Sequence, residues 1–99
     1  MSRGLFLGAL ALFLAACSGE DPGPLDGTWT VTTPFPVTVT FRHGETEAMG
    51  VKKKVSYKVA GDEVLVTYEE GATKGTTFRY TVVDADTLRS DSGTFHRVR

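Results

Sequence analysis

From Leu25 onward, apolar and polar residues alternate along the chain with a period of two. Trp29 and Val31 form the first apolar pair, and the run from Val37 to Phe41 repeats the pattern with threonine in between. This alternation is typical of β-strands that are buried on one face and exposed to water on the other. No longer window keeps the apolar stripe of a helix, so the pattern predicts an all-β domain.

Seven short strands follow from this alternation, separated by turns rich in glycine, proline and aspartate. The polar segment 43–50 is predicted to be a connection. Because consecutive antiparallel strands with one apolar face close readily, we expect a small meander barrel or half-barrel of six or seven strands. The first strand begins at Asp26-Gly27-Thr28, and the others are 37–42, 51–59, 63–69, 76–82, 87–90 and 94–98.

Two positions do not fit the alternation. Lys53 falls on the face that Val51 and Val55 would bury, so we expect a β-bulge or an edge position there. In the last strand, the pattern does not decide whether Phe95 or Val98 points inward. In so narrow a barrel the bulky residues are expected to fill the interior rather than line a pocket. These residues are Trp29, Phe41, Tyr57, Tyr68, Phe78 and Tyr80.

The N-terminal sixteen residues differ in character from the rest. Arg3 is their only charge, and an apolar run from residue 5 to 16 ends at Cys17, the one cysteine of the chain. A helix of that length rises only about 18 Å, well short of the roughly 30 Å hydrocarbon core of a bilayer. Residues 1–16 are therefore predicted to be an export signal. A short flexible tether rich in glycine and proline follows at 17–24, and one domain at 25–99.

The residues Leu14-Ala15-Ala16-Cys17 resemble the lipobox of bacterial lipoprotein signal peptides. The resemblance implies that a diacylglyceryl group is attached to the sulfur of Cys17 and that the chain is cut after Ala16. The mature protein would then be anchored in the cell envelope by this lipid, its only expected cofactor. Ser18 resembles the outer-membrane signal, with the domain facing the periplasm or the cell surface. The alternative is an ordinary secretory signal peptide.

Composition narrows the partners and the source of stability. Without Arg3, the chain carries ten basic and twelve acidic side chains, which gives no basis for nucleic-acid binding. A single cysteine cannot form an intramolecular disulfide, so a domain of this size must rely on its apolar core. We expect a monomer whose partners are the membrane, through the lipid, and an envelope protein.

The opening Leu25-Asp26-Gly27-Thr28-Trp29, the tyrosine-containing meander and the terminal Phe95-x-Arg97 are similar to the small lipocalin-like domains of many bacterial lipoproteins. In those domains a tryptophan of the first strand closes one end of the barrel and packs under a late arginine. The resemblance implies that Trp29 is the barrel plug and Arg97 its cover. This chain is too short for eight long strands and a C-terminal helix, so a roomy ligand cavity is not expected.

Candidate catalytic and metal-binding residues are few. His43, Glu45 and Glu47 alternate along one segment, which would place an imidazole and two carboxylates on one side, as metal ligands require. The same residues also describe a polar loop exposed to water, which we favour, so no metal site is predicted. The serines lie outside nucleophile motifs, and no carboxylate pair is identified that would face across a cleft. We therefore expect no catalytic activity.

The candidate contact residues are lysines: Lys52, Lys53 and Lys54 on the third strand, and Lys74 on the loop 70–75. The strand lysines would bind an anionic surface or pair with glutamates of the neighbouring strand. The segment Gly71-Ala72-Thr73-Lys74 resembles the loop by which some periplasmic lysozyme inhibitors plug an enzyme cleft. The sequence thus predicts a lipid-anchored, non-enzymatic binding or inhibitor-like module of the cell envelope. The alternative is a lipocalin-like binder of a small hydrophobic or envelope-derived ligand.

Overall fold

The strands of the structure follow one another as antiparallel neighbours. The computed structural model describes residues 16–33 and 35–99, so residues 1–15 of the predicted export signal, with Leu14 and Ala15 of the lipobox, lie outside the described residues. No helix in these ranges is long and apolar enough to span a bilayer. The elements are β1 (Ala16–Gly19), β2 (Gly27–Val31), β3 (Val37–Arg42), β4 (Glu45–Ala48), β5 (Val51–Ala60), β6 (Glu63–Tyr68), β7 (Thr77–Asp84), β8 (Thr87–Ser90), β9 (Gly93–Arg97) and single 3₁₀ turns at Gly23–Leu25 and Gly71–Thr73.

Strands β2 to β9 close into a barrel. Each pairs with its neighbour in sequence, and β9 returns to β2 through the pair Trp29–Arg97. The predicted antiparallel meander is confirmed, but the predicted number of six or seven strands is wrong, because the barrel has eight. The additional strand is β4, in the segment assigned to a connection. Its buried residue is the polar Thr46, so no alternation in hydrophobicity marks it.

Strand β1 lies outside this ring and extends the sheet beyond the β3–β4 hairpin. The second half of the ten-residue β5 runs past the end of β4, and β1 pairs with it through Cys17–Val59. In the β3–β4 turn, the N–H of Gly44 donates to the carbonyl of Glu20 over 2.7 Å. The first residues of the segment predicted to be a tether therefore run as a strand along the barrel wall.

The inward-facing side chains form one apolar core, as the alternation predicts. In the last strand, Phe95 is 4% exposed and Val98 is 46% exposed, which settles the position that the pattern left open. The rings of Phe41 and Tyr80 pack edge to face, with centroids 5.3 Å apart. The buried apolar residues are Leu25, Trp29, Val31, Val39, Phe41, Val55, Tyr57, Val64, Val66, Leu88 and Phe95.

Lys53 faces inward without a bulge. It pairs with the buried Thr46 in a regular β4–β5 register, so the predicted bulge is wrong. The pairing of β5 with β6 begins only at Val55, so at Lys53 the strand is paired on one side alone, as the predicted edge position requires. The half-buried Lys53 side chain runs to the turn at Gly71, where a Cβ would lie 3.1 Å from its ammonium. The ammonium thereby reaches a polar groove that Glu70 also lines.

Candidate ligand-binding site

At one end of the barrel, Trp29 occupies the interior. Its ring is fully buried, and its Nε1–H donates to the carbonyl of Leu25 over 2.8 Å, in the 3₁₀ turn that crosses this end. The guanidinium of Arg97 lies over the ring, with Cζ 4.3 Å from the ring centroid. Gly27 leaves room for this arginine, because a Cβ would lie 2.7 Å from its Nη1. We call this the closed end.

Arg97 also connects three parts of the chain at the closed end. Its Nε–H donates to the carbonyl of Ala85 over 3.0 Å, and its Nη1–H donates to the carbonyl of Asp26 over 2.9 Å. Its Nε lies 3.4 Å from the carboxylate of Asp86. Because the carbonyls belong to the β7–β8 turn and to the residue before β2, one side chain fixes both against the tryptophan.

Replacing Arg97 with methionine is expected to lower the free energy of unfolding by about 2–3 kcal/mol. Methionine keeps much of the apolar stem but loses the stack on Trp29 and the bonds to two carbonyls. The measurement is urea denaturation followed by the fluorescence of the single tryptophan. The control is Arg79→Met, at a side chain that is 67% exposed, with an expected change below about 0.5 kcal/mol. Equal losses in both variants would contradict the assignment.

The opposite end of the barrel, the open end, holds an apolar cavity of about 480 Å³. Valines and alanine of β2, β3 and β4 form one wall, and aromatic residues of β6, β7 and β9 form the other. Asp91 and Ser92, in the β8–β9 turn, lie at its mouth. Small-molecule sites typically measure roughly 300–1,000 Å³ and have mostly apolar walls with a few polar groups. The cavity has the size and the lining of such a site.

The cavity corrects the expectation that bulky residues fill the whole interior. Trp29, Phe41 and Tyr57 are buried in the core, whereas Tyr68, Phe78 and Tyr80 line the cavity. Opposite these rings, the inward positions hold small side chains, which do not reach across a barrel of eight strands. These residues are Val37, Val39 and Ala48.

Two tyrosines, the buried Tyr57 and the half-buried Tyr80, differ in the surroundings of their hydroxyls. The Tyr57 hydroxyl is 2.8 Å from the carbonyl of Arg42 and 2.9 Å from that of Glu45, and it donates to this pair. Tyr80 borders the cavity, packed edge to face against Phe95 with centroids 5.9 Å apart. Burial raises the pKa of Tyr80 above its ordinary value, and its phenol is a neutral hydrogen-bonding group.

The barrel wall is open beside the cavity, between β7 and β8. Strand β7 has eight residues and β8 has four, so their pairing ends at Thr81–Arg89. Within the described residues, Thr77–Tyr80 have no partner strand on that side. A register shift at Val83 adds to the mismatch. The resulting β7–β8 gap has a volume of about 650 Å³ and adjoins the cavity, since both are lined by Phe78, Tyr80, Asp91 and Ser92.

The candidate contact lysines do not form one basic surface. Lys52 and Lys54 face outward opposite two glutamates of β4, whereas Lys53 faces inward. Lys74 is exposed at the end of the 3₁₀ turn that forms the predicted contact loop. Carboxylates share the groove beside the strand lysines and balance their charge. They belong to Glu20, Glu45 and Glu70.

His43, Glu45 and Glu47 are not gathered into a metal site. The Nε2 of His43 lies 2.9 Å from a carboxylate oxygen of Glu20, whereas Glu45 and Glu47 both contact Arg42, at 3.4 and 2.7 Å. The hydrogen bond from Arg42 holds the pKa of Glu47 below its ordinary value. In the part of the chain that the structure describes, no three His, Cys, Asp or Glu side chains are placed to hold a metal ion.

Sequence reasoning did not identify several residues of the cavity and the gap. Phe35 lines the mouth from the β2–β3 connection, where an aromatic residue between two prolines is the available signal. Arg79 and Arg89 line the gap. Their only signal is that the predicted strand containing Arg79 is longer than the strand containing Arg89.

No protein-family model matches the chain, and no match was found among curated proteins or solved structures. The function is therefore argued from the geometry of the cavity and the gap. The lipobox and lipocalin resemblances stay predictions.

Proposed function

We propose that this protein binds a small apolar ligand in the open end of its barrel. The observation that carries the proposal is the apolar cavity of about 480 Å³, which opens to solvent at the barrel mouth and adjoins the β7–β8 gap. Transfer of an apolar ligand into such a space releases apolar surface from water on both partners. The lipocalin-like binder is therefore favoured over the protein-interaction module, the reverse of the order that the sequence favoured.

The rim of the open end supports an apolar ligand. Phe35 is 71% exposed and Met49 is 77% exposed, in the two connections on either side of the β3–β4 hairpin. Met49 is held in the left-handed region, with φ of +54°, in a two-residue turn with Gly50. Large, solvent-exposed apolar side chains beside a cavity are typical of binding sites, because a bound ligand buries their apolar surface.

We also propose that a lipid on Cys17 anchors this barrel in the cell envelope, at the outer membrane facing the periplasm or the cell surface. The support is the sequence of residues 14–18. Cys17 pairs with the half of β5 that ends at Ala60, and the β5–β6 turn lies at the closed end. A lipid at this position would hold the closed end towards the membrane and leave the cavity facing away from it.

Binding of the neutral fluorophore phenylnaphthylamine tests the cavity. We expect its fluorescence to rise with saturation at one site per chain. Ala48→Phe, which puts a ring into the cavity, is expected to weaken binding at least tenfold. Thr38→Phe puts the same ring on the outer face of the neighbouring strand and is the matched control. Far-ultraviolet circular dichroism establishes that both variants are folded. Equal affinity in the two folded variants would overturn the proposal.

The second candidate function is the protein-interaction module of the sequence analysis. The observation that favours it is the free edge of β7 at Thr77–Tyr80, where an extended segment of another protein would add a strand. Affinity capture from detergent-solubilised envelope, with this protein as bait, distinguishes the two. One protein recovered near stoichiometry would favour the module, and recovery of lipid alone would favour the ligand binder.

A further inference from the structure

We propose that the ligand is a single-chain anionic amphiphile, with its chain in the cavity and its head group in the β7–β8 gap between Arg79 and Arg89. The inference rests on the proposed function, because it requires the cavity to hold the apolar chain. It adds the chemical class of the ligand, its orientation and its route of entry. The head group stays at the wall of the barrel, so the chain enters sideways through the gap.

Backbone donors line the gap. On β7, Thr76 and Val82 bond to the β6 side, through the Thr76 carbonyl and the Val82 N–H. Bonding groups alternate between the two sides of an antiparallel strand, so Thr77 and Arg79 direct their N–H and C=O groups towards β8. In the described residues no strand pairs with them there. Two backbone N–H groups are thus free to donate to an anion in the gap.

Two arginines, Arg79 and Arg89, line the same gap. Arg89 pairs with Thr81, and Arg79 lies two residues away from Thr81 on the same outer face, which makes the arginines diagonal neighbours, about 7–8 Å apart at the backbone. Among the ion pairs of the described residues, Arg79 takes part in one long contact, at 3.9 Å to Glu63, whose side chain is 42% exposed. Arg89 takes part in none of these ion pairs. Both arginines are exposed and free to turn towards an anion.

The charge of the gap lining is positive. Asp91 is the one carboxylate among the residues that line the gap, so the two guanidinium groups outnumber it. Asp91 also lies at the axial mouth of the cavity, where the lining holds no cation. An anionic head group is therefore repelled from the axial mouth and attracted to the lateral gap.

The cavity accepts the chain and excludes the head. Its polar lining consists of Asp91, Ser92 and the hydroxyls of Tyr68 and Tyr80, and a buried anion without a cationic partner is strongly disfavoured. Its volume of about 480 Å³ lies in the lower half of the range for ligand sites, which suits one alkyl chain rather than two. A carboxylate of a free fatty acid and a phosphate of a lysophospholipid share this chemistry.

Displacement of phenylnaphthylamine from the full chain, held in amphipol with protein-free amphipol as the blank, tests the inference. The ligands are decanoate and decanol, which have chains of equal length. We expect the double variant Arg79→Gln with Arg89→Gln to bind decanoate about tenfold more weakly than the unchanged protein, and decanol equally. Lys52→Gln with Lys54→Gln removes the same charge from the outer face of β5 and is expected to leave both affinities unchanged.

The outcomes separate the two proposals. If decanoate binds equally to the unchanged protein and both double variants, the assignment of the head group is wrong, while the cavity stands. If neither ligand displaces the fluorophore, the proposed function fails, and this inference fails with it. Equal weakening in the lysine variant would show a general charge effect and would also overturn the assignment. A comparison of lysophosphatidylglycerol with decanoate identifies the source of the ligand. Tighter binding of lysophosphatidylglycerol would indicate a membrane lipid, and tighter binding of decanoate would indicate a free fatty acid.

Discussion

Replacing Trp29 with alanine is expected to lower the free energy of unfolding by about 4–5 kcal/mol. The ring is fully buried at the closed end, so its removal leaves a large space that the strands cannot fill. The carbonyl of Leu25 loses its donor, and Arg97 loses the ring over which it lies. A small domain has a total stability of roughly 5–10 kcal/mol, so this variant approaches complete unfolding.

Urea denaturation followed by far-ultraviolet circular dichroism measures the effect, because the variant has no tryptophan fluorescence. Trp29→Phe keeps an aromatic ring at the closed end and is expected to lose about half as much stability. Thr38→Ala, at an exposed position on β3, is the surface control, with an expected change of less than about 0.5 kcal/mol. A loss below about 1 kcal/mol in the alanine variant would mean that Trp29 does not hold the closed end together.

Replacing Cys17 with serine is expected to abolish the incorporation of radiolabelled palmitate and to release the protein from the membrane fraction. Serine has nearly the shape of cysteine but lacks the thiol that the lipid requires. Each buried methylene contributes about 0.8 kcal/mol to membrane binding, so a chain with two acyl groups stays bound and one with none does not. The measurement is made on cells that express either protein, followed by fractionation and immunoprecipitation.

The control is Ser18→Ala, which keeps the cysteine and is expected to retain the label. Palmitate in both the unchanged protein and the Cys17→Ser variant would contradict the lipobox. Absence of palmitate in both, with the protein exported and shortened, would favour the alternative of an ordinary secretory signal peptide.

The strands of the core could be predicted because their inward positions are apolar. On β2 and β3, Trp29, Val39 and Phe41 alternate with threonines, and all three are buried. β4 was missed because it needs no apolar residue of its own. Its inward Thr46 is enclosed by neighbours, and its backbone pairs on both sides with longer strands. The pairing of β4 therefore depends on its neighbouring strands and not on the alternation of its own residues.

The candidate site was less predictable than the core. The sequence predicts that three aromatic residues fill the core, because it shows only the size and polarity of each side chain by itself. These residues are Tyr68, Phe78 and Tyr80. Whether they fill the barrel depends on what lies across it, and the side chain opposite is as small as Ala48. The lysines were the most visible surface feature of the sequence, but the fold surrounds Lys52–Lys54 with carboxylates. Arg79 and Arg89 are ten residues apart in sequence, and they become diagonal neighbours only because β7 pairs with β8.

The sequence by itself determined the antiparallel meander and the order of the core strands, and the motif containing Cys17 predicts an export segment. These features are local, because a strand and a turn are specified by a few consecutive residues. Only the tertiary structure decided that eight strands close, that the open end holds a cavity and that the wall parts beside it. The physical reason is that a cavity is set by side-chain sizes summed across the barrel, and a gap by the difference in length between two neighbouring strands.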